Sequence, residues 1–109
     1  DNAKLLYGSR ENIPEWPYAF TMTVGKRYYL DTIDLDVYNI IKDYEGDVLI
    51  VHGDRDTVVP YNYSQKALEL YENAELITIY GSNHGFVGQN LVDACAAAVN
   101  FLNAHVNKD

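Results

Sequence analysis

Two loops contain the residues best suited to acid–base chemistry. They are His52–Pro60 (HGDRDTVVP) and Gly81–Phe86 (GSNHGF), and each follows an apolar run typical of a buried strand. Strands that pair as neighbours lie about 4.8 Å apart, so a carboxylate such as Asp56 on one loop can reach the imidazole of His84 on the next. The carboxylate would fix the imidazole tautomer and leave Nε2 free to take a proton from a nucleophile.

Spacing alone leaves alternatives open for these residues. Asp54 competes with Asp56 for the role of the acid, and an aspartate between a strand and a helix is often a turn or capping residue. A histidine flanked by glycine, such as His84, can simply be a loop residue in an unusual backbone conformation. The joint occurrence of the acid and the histidine favours the catalytic interpretation, because neither alternative predicts the other residue.

The nucleophile of such a mechanism is missing from the sequence. No Gly-x-Ser-x-Gly elbow occurs in the 109 residues, and Ser9, Ser64 and Ser82 all lie outside such a pattern. Without a nucleophile, we expect the isolated chain to hydrolyse nothing.

The remaining reactive side chains predict no separate site. We expect His52 to be a packed, hydrogen-bonded residue at the end of a strand, and we assign no function to His105. Arg55 is expected to pair with a surface carboxylate. Cys95 offers no disulfide and is expected to be a small buried hydrophobe. The scattered histidines and the lack of phosphate-binding glycine loops predict neither a metal nor a cofactor.

Composition narrows the class of protein. The chain is 48% hydrophobic and 22% charged, which is ordinary for a globular domain, and its formal net charge is −8. No basic cluster is present, so nucleic acid is an unsuitable partner. No apolar run is long enough to cross a bilayer. The chain starts at Asp1 without a signal sequence or an initiator methionine, so we expect that an N-terminal portion is missing, and we favour the cytoplasm.

The hydrophobic pattern predicts alternating strands and helices. The apolar run at 48–51 predicts a parallel strand covered on both faces, and residues 75–80 predict the next strand. The segment after Pro60 predicts a helix to about Glu72. A helix over about 90–106 carries an apolar stripe that suits packing on a sheet. Upstream, we expect Asp34 to cap a helix over about 35–44. This order predicts an α/β fold with a βαβ unit.

Residues 1 to about 30 differ from the rest. Period-two alternation over 18–24 indicates a short strand or hairpin. The segment is rich in aromatic side chains, which could cover a small core or line a pocket for an aromatic ligand beneath a lid. The proposed substrate-binding residues are Trp16, Tyr18 and Phe20.

The two loops resemble the C-terminal part of an α/β-hydrolase over about residues 28–106. The resemblance implies that Asp56, rather than Asp54, is the triad acid, and that His84 is the triad histidine. It also implies that residues 31–109 form the C-terminal βαβα portion of the hydrolase domain, and residues 1–30 the end of a lid insertion. The first half of the domain, with the serine elbow and one oxyanion-hole donor, is absent from this sequence.

Within that family, the segment that begins at Gly25–Asp31 is most similar to bacterial feruloyl and cinnamoyl esterases. The resemblance implies a serine carboxylesterase that acts on small esters such as hydroxycinnamate esters, without a cofactor or metal. The implied partner is a complementary N-terminal hydrolase segment that carries the serine. Two alternatives remain: a peptidase of the prolyl oligopeptidase type, and a non-catalytic interaction module with the same fold.

Overall fold

The computed structural model describes residues 2–19 and 21–106, which divide into two compact units, Asp1–Val37 and Tyr38–Asp109. Each unit has its own elements. None of the helices in the described residues has the length and apolar character that a bilayer crossing requires.

The first unit packs two helices and a hairpin around a small core. It consists of α1, a 3₁₀ turn, the antiparallel strands β1 and β2, and α2, at Asn2–Tyr7, Arg10–Asn12, Tyr18–Ala19, Met22–Thr23 and Lys26–Thr32. The predicted hairpin is therefore confirmed, whereas α1 and α2 were not predicted. Tyr29 anchors the core, since its ring is buried and its hydroxyl donates to the Tyr18 carbonyl at 2.9 Å.

The predicted helix over 35–44 is shorter in the structure. Helix α3 spans only Val37–Ile41, so the prediction that Asp34 caps it is wrong. The Asp34 carboxylate instead accepts a hydrogen bond from Arg10 Nη1 at 2.6 Å. A cap must lie immediately before the first turn to reach its free amides, and Asp34 lies too far upstream of Val37.

A parallel βαβ arrangement forms the second unit. Strand β3 (Val48–Gly53) pairs with β4 (Ala74–Ile79), in a register that sets Val48 opposite Ala74 and Gly53 opposite Ile79. Helix α4 (Asn62–Leu70) connects them, and α5 (Gln89–His105) packs on both strands. These elements match the predicted ones within a few residues. The register brings the carboxyl ends of the two strands, and the loops that follow them, to the same edge.

The apolar stripe of α5 is only partly covered. Ala94 is buried, but Leu91, Val99, Leu102 and Val106 are exposed. Cys95 is also exposed, so the expectation of a buried cysteine is wrong. The physical reason is geometric, because a two-stranded sheet covers a narrower band of a helix than the full stripe, and Cys95 lies about 100° around the helix from the buried Ala94.

Candidate active site

Backbone contacts hold the two loops against each other. The Asp54 carboxylate accepts the backbone N–H of Gly81 at 2.6 Å, and the Arg55 N–H donates to the Ser82 carbonyl at 3.1 Å. Gly53 lies so close to Ser82 that an added Cβ would collide with the Ser82 carbonyl. The Asp54 carboxylate therefore binds the backbone of Gly81–Phe86, which we call the histidine loop. It is not hydrogen-bonded to the imidazole of His84.

Asp56 is the carboxylate that contacts His84. Its Oδ2 accepts the His84 Nδ1–H at 2.9 Å and the His52 Nε2–H at 3.1 Å. Its Oδ1 accepts the backbone N–H groups of Val58 and Val59, both at 2.8 Å. An ionised carboxylate offers about four acceptor sites, so these donors occupy all of them.

These contacts keep Asp56 ionised despite its position inside the site. Only 5% of its side chain is exposed. This burial alone would raise the pKa of Asp56, but the hydrogen bonds from Val59, His84, Val58 and His52 outweigh burial and hold that pKa well below its usual range. The result is a fixed negative charge beside the imidazole of His84.

The second ring nitrogen of His84, Nε2, has no hydrogen-bond partner among the described residues. Because Asp56 can only accept, the Nδ1 of His84 carries a hydrogen, and in the neutral ring Nε2 is the nitrogen that has the lone pair. The side chain is 54% exposed. Asn83 holds the loop in place, since its Oδ1 accepts the His84 N–H at 2.8 Å and both the N–H and the hydroxyl of Thr57, at 3.0 and 3.1 Å. In this arrangement the Asp56 carboxylate fixes the tautomer of the His84 imidazole.

Asn83 and Ser64 have structural roles that the sequence reasoning did not identify. An asparagine beside a histidine in a turn was the available signal for Asn83, because short polar side chains often bond nearby backbone amides. Ser64 lies on α4 and bonds the Nδ1 of His52. His52 itself is buried and hydrogen-bonded, as predicted.

The two serines of the second unit bond to groups other than His84. The Ser64 hydroxyl is bonded to His52, and Ser82 is 1% exposed with its hydroxyl directed to the Asn83 carbonyl at 3.2 Å. Ser9 lies in the first unit. Neither Ser64 nor Ser82 bonds to His84, and no cluster of metal-ligating side chains is present within residues 2–19 and 21–106.

Two of the three predicted substrate contacts can be described. Trp16 is 69% exposed and Tyr18 is 65% exposed, both in the first unit. Phe20 lies outside the described residues. Among the described residues the Arg55 side chain forms no ion pair, so the expected pairing with a surface carboxylate is wrong; its backbone N–H binds the Ser82 carbonyl instead. His105 donates to the Phe101 carbonyl at 2.6 Å and lies 3.6 Å from Asp47.

Comparison with known proteins identifies the family. A model of the TAP-like protein family of α/β-hydrolases matches residues 34–105, which is more than half of the chain, so the chain belongs to this family. The matched part is the C-terminal portion of the α/β-hydrolase fold. The search of curated proteins gave no match.

Solved structures extend the likeness. Est1E from Butyrivibrio proteoclasticus is 31% identical, with a TM-score of 0.74 over 85% of this chain and 39% of Est1E. Est1E with ferulic acid bound is 30% identical, with a TM-score of 0.76 over 94% of this chain and 43% of that one. The chain thus spans about two fifths of the length of these structures.

The hydrogen bonds of Asp56 predict a pH-dependent stability. Because folding lowers the pKa of Asp56 below its unfolded value of about 4, its contribution is fully present above that pH and is lost as the pH falls toward the folded pKa. The free energy of unfolding of the 109-residue chain, measured by urea titration, is expected to drop below about pH 4.

Asp56→Asn removes the titrating group and should flatten this dependence. Asp43→Asn, at an exposed carboxylate outside the two loops, is the matched control and should keep the wild-type slope. Identical slopes for all three proteins would contradict the assignment of the shift to Asp56.

Proposed function

We propose that this chain supplies the general base and its orienting acid to a serine carboxylesterase. The observation that carries the proposal is the hydrogen bond from His84 Nδ1 to Asp56 Oδ2, with the His84 ring exposed. Membership of the α/β-hydrolase family and the likeness to Est1E support a hydrolase of the esterase kind. The nucleophilic serine would lie in a complementary N-terminal hydrolase segment, outside these 109 residues.

In the proposed mechanism, Nε2 of His84 takes the proton of the serine hydroxyl while its oxygen attacks the ester carbonyl. Asp56 stabilises the resulting imidazolium, which then protonates the departing alkoxide as the acyl-enzyme forms. Water, deprotonated by the same Nε2, attacks the acyl-enzyme, and the imidazolium returns this proton to the serine oxygen as the ester bond to the serine breaks and the acid is released. The oxyanion donors would come from the segment that carries the serine.

For the substrate, we propose a small hydroxycinnamate ester. The support is the likeness to Est1E, of which a structure holds ferulic acid. Trp16, Tyr18 and Phe20 remain the proposed contacts to the aromatic acyl group, with residues 1–30 as the end of a lid insertion. The exposure of Trp16 and Tyr18 is consistent with that role, because an exposed aromatic face is free to stack on a ligand ring.

Labelling with a fluorophosphonate probe, which reacts with activated serines, tests the division of the active site. The purified 109-residue chain is expected to remain unlabelled and to leave a p-nitrophenyl ester intact, because it offers His84 no serine. The chain purified under native conditions from its source is expected to bring with it a second polypeptide, or an N-terminal extension, that labels. We call this complete form the assembled enzyme.

Each other outcome would support a different function for this chain. Turnover by the 109-residue chain alone would contradict the proposed division of the site. A native preparation without any labelled serine would favour the non-catalytic module, and cleavage of peptide amides in preference to esters would favour the peptidase.

A further inference from the structure

The two histidines around Asp56 bind the same carboxylate oxygen. His84 Nδ1 and His52 Nε2 lie 2.9 and 3.1 Å from Oδ2. The two histidines differ in exposure: His52 is 8% exposed, whereas 54% of the His84 side chain is exposed. The acid of the site therefore has a second imidazole partner that substrate cannot reach.

The neighbours of His52 determine where its proton lies. Its Nε2 faces Asp56 Oδ2 and the Val59 carbonyl at 3.0 Å, and both of these groups only accept. Nε2 must therefore carry the hydrogen. In a neutral ring Nδ1 is then an acceptor, so the Ser64 hydroxyl donates to it. Each hydrogen in the chain Ser64–His52–Asp56 has one defined direction.

We propose that His52 is a positioning residue for the acid–base pair, held in its donating tautomer by Ser64, and that it acts through Asp56 on His84. This inference rests on the proposed esterase function. With the His52 donor in place, Oδ2 of Asp56 accepts hydrogen bonds from both imidazole rings, while the Val58 and Val59 amides donate to Oδ1. Without it, the carboxylate loses one of two restraints on Oδ2 and can turn away from His84.

A rival explanation is that Ser64, His52 and Asp56 are themselves a Ser–His–Asp triad. The burial of His52 argues against it, since both of its ring nitrogens are occupied by protein groups and no substrate can approach them. Ser64 also follows no elbow turn but lies within α4. Its hydroxyl serves to fix a tautomer.

The test compares His52→Phe, His52→Gln and Ser64→Ala. Phenylalanine keeps a ring beside Tyr61, whose centroid lies 5.5 Å from that of His52, but removes the donor. Glutamine restores an N–H donor at nearly the same reach. In the assembled enzyme, we expect His52→Phe to lower kcat by about 10- to 100-fold with little change in KM, His52→Gln to recover most of that loss, and Ser64→Ala to lie between the two.

A spectroscopic measurement separates positioning from general destabilisation. In the native preparation, with this chain ¹⁵N-labelled, the ¹⁵N shifts of His84 should report a protonated Nδ1 and an unprotonated Nε2. In folded His52→Phe, these shifts are expected to move toward a mixture of tautomers, and His52→Gln should restore the wild-type pattern. Unchanged shifts and unchanged kcat in His52→Phe would overturn the positioning role even if the chain serves an esterase.

A double mutant establishes that His52 acts through Asp56. Added to Asp56→Asn, the His52→Phe change should cause no further loss of kcat, because the carboxylate it positions is already gone. If the losses of kcat in the two single mutants multiply in the double mutant, His52 does not act through Asp56. Fluorophosphonate labelling of Ser64 in the 109-residue chain would instead establish the rival triad. Absence of any esterase in the native preparation, with the His84 tautomer still dependent on His52, would refute the function and leave the structural role intact.

Discussion

Replacing His84 with alanine in the assembled enzyme is expected to lower kcat by about 10⁶-fold, the scale of losing the triad base. Asp56→Asn should cost about 10⁴-fold. The physical reason for the second effect is the tautomer, because an amide N–H opposite His84 Nδ1 would require that nitrogen to accept and so place the proton on Nε2. Steady-state kinetics with an aryl ester, at substrate concentrations that bracket KM, measure both effects.

Asp54→Asn is the matched control for Asp56→Asn. The asparagine oxygen can still accept the Gly81 N–H, so the histidine loop keeps its anchor and kcat is expected to fall by less than about 10-fold. The pair of variants separates the two acids that spacing alone left open. A greater loss in Asp54→Asn than in Asp56→Asn would mean that the acid has been misassigned.

Gly53→Ala is expected to move His84 away from Asp56 without changing either side chain. An alanine Cβ at this position would collide with the backbone of Ser82, which cannot move aside as a flexible side-chain tip would. The histidine loop must therefore shift away from Asp56. We expect the free energy of unfolding to fall by about 2–3 kcal/mol, measured by urea titration of the 109-residue chain, and esterase activity to fall with it.

Gly85→Ala provides the comparison within the same loop. A Cβ there would meet nothing within 4 Å, and its backbone lies outside the left-handed region. Its free energy of unfolding should stay within about 0.5 kcal/mol of wild type. Equal stability of the two alanine variants would show that the close approach at Gly53 does not hold the loops together.

The sequence predicts the second unit well because its elements bury regular patterns. The β-branched runs of β3 and β4 and the periodic stripes of α4 and α5 are signals that the local chain carries by itself. The meeting of Asp56 and His84 follows from placing both at the carboxyl ends of neighbouring strands. Strand adjacency is thus enough to predict that the loop after β3 meets the loop after β4.

Other features depend on contacts that spacing does not encode. Asp54 and Asp56 share one short loop, and only the course of its backbone decides which carboxylate faces His84. The bond from Ser64 to His52 joins a helix to a strand across the unit, so neither residue indicates it alone. Likewise, the exposure of Cys95 depends on how much of α5 the sheet covers, and no periodic pattern reports that width.

The parallel pairing of β3 with β4 also bears on how the proposed acid–base pair could be transferred to another protein. Acid and base both lie in one continuous stretch of chain, from Val48 to His84, closed by a single helical crossover. Bringing the two loops together closes one crossover connection, and the entropic cost of closing such a connection grows only slowly with its length. A polypeptide break placed before Val48 leaves the pair whole, which makes this junction a natural position for a split-enzyme reporter.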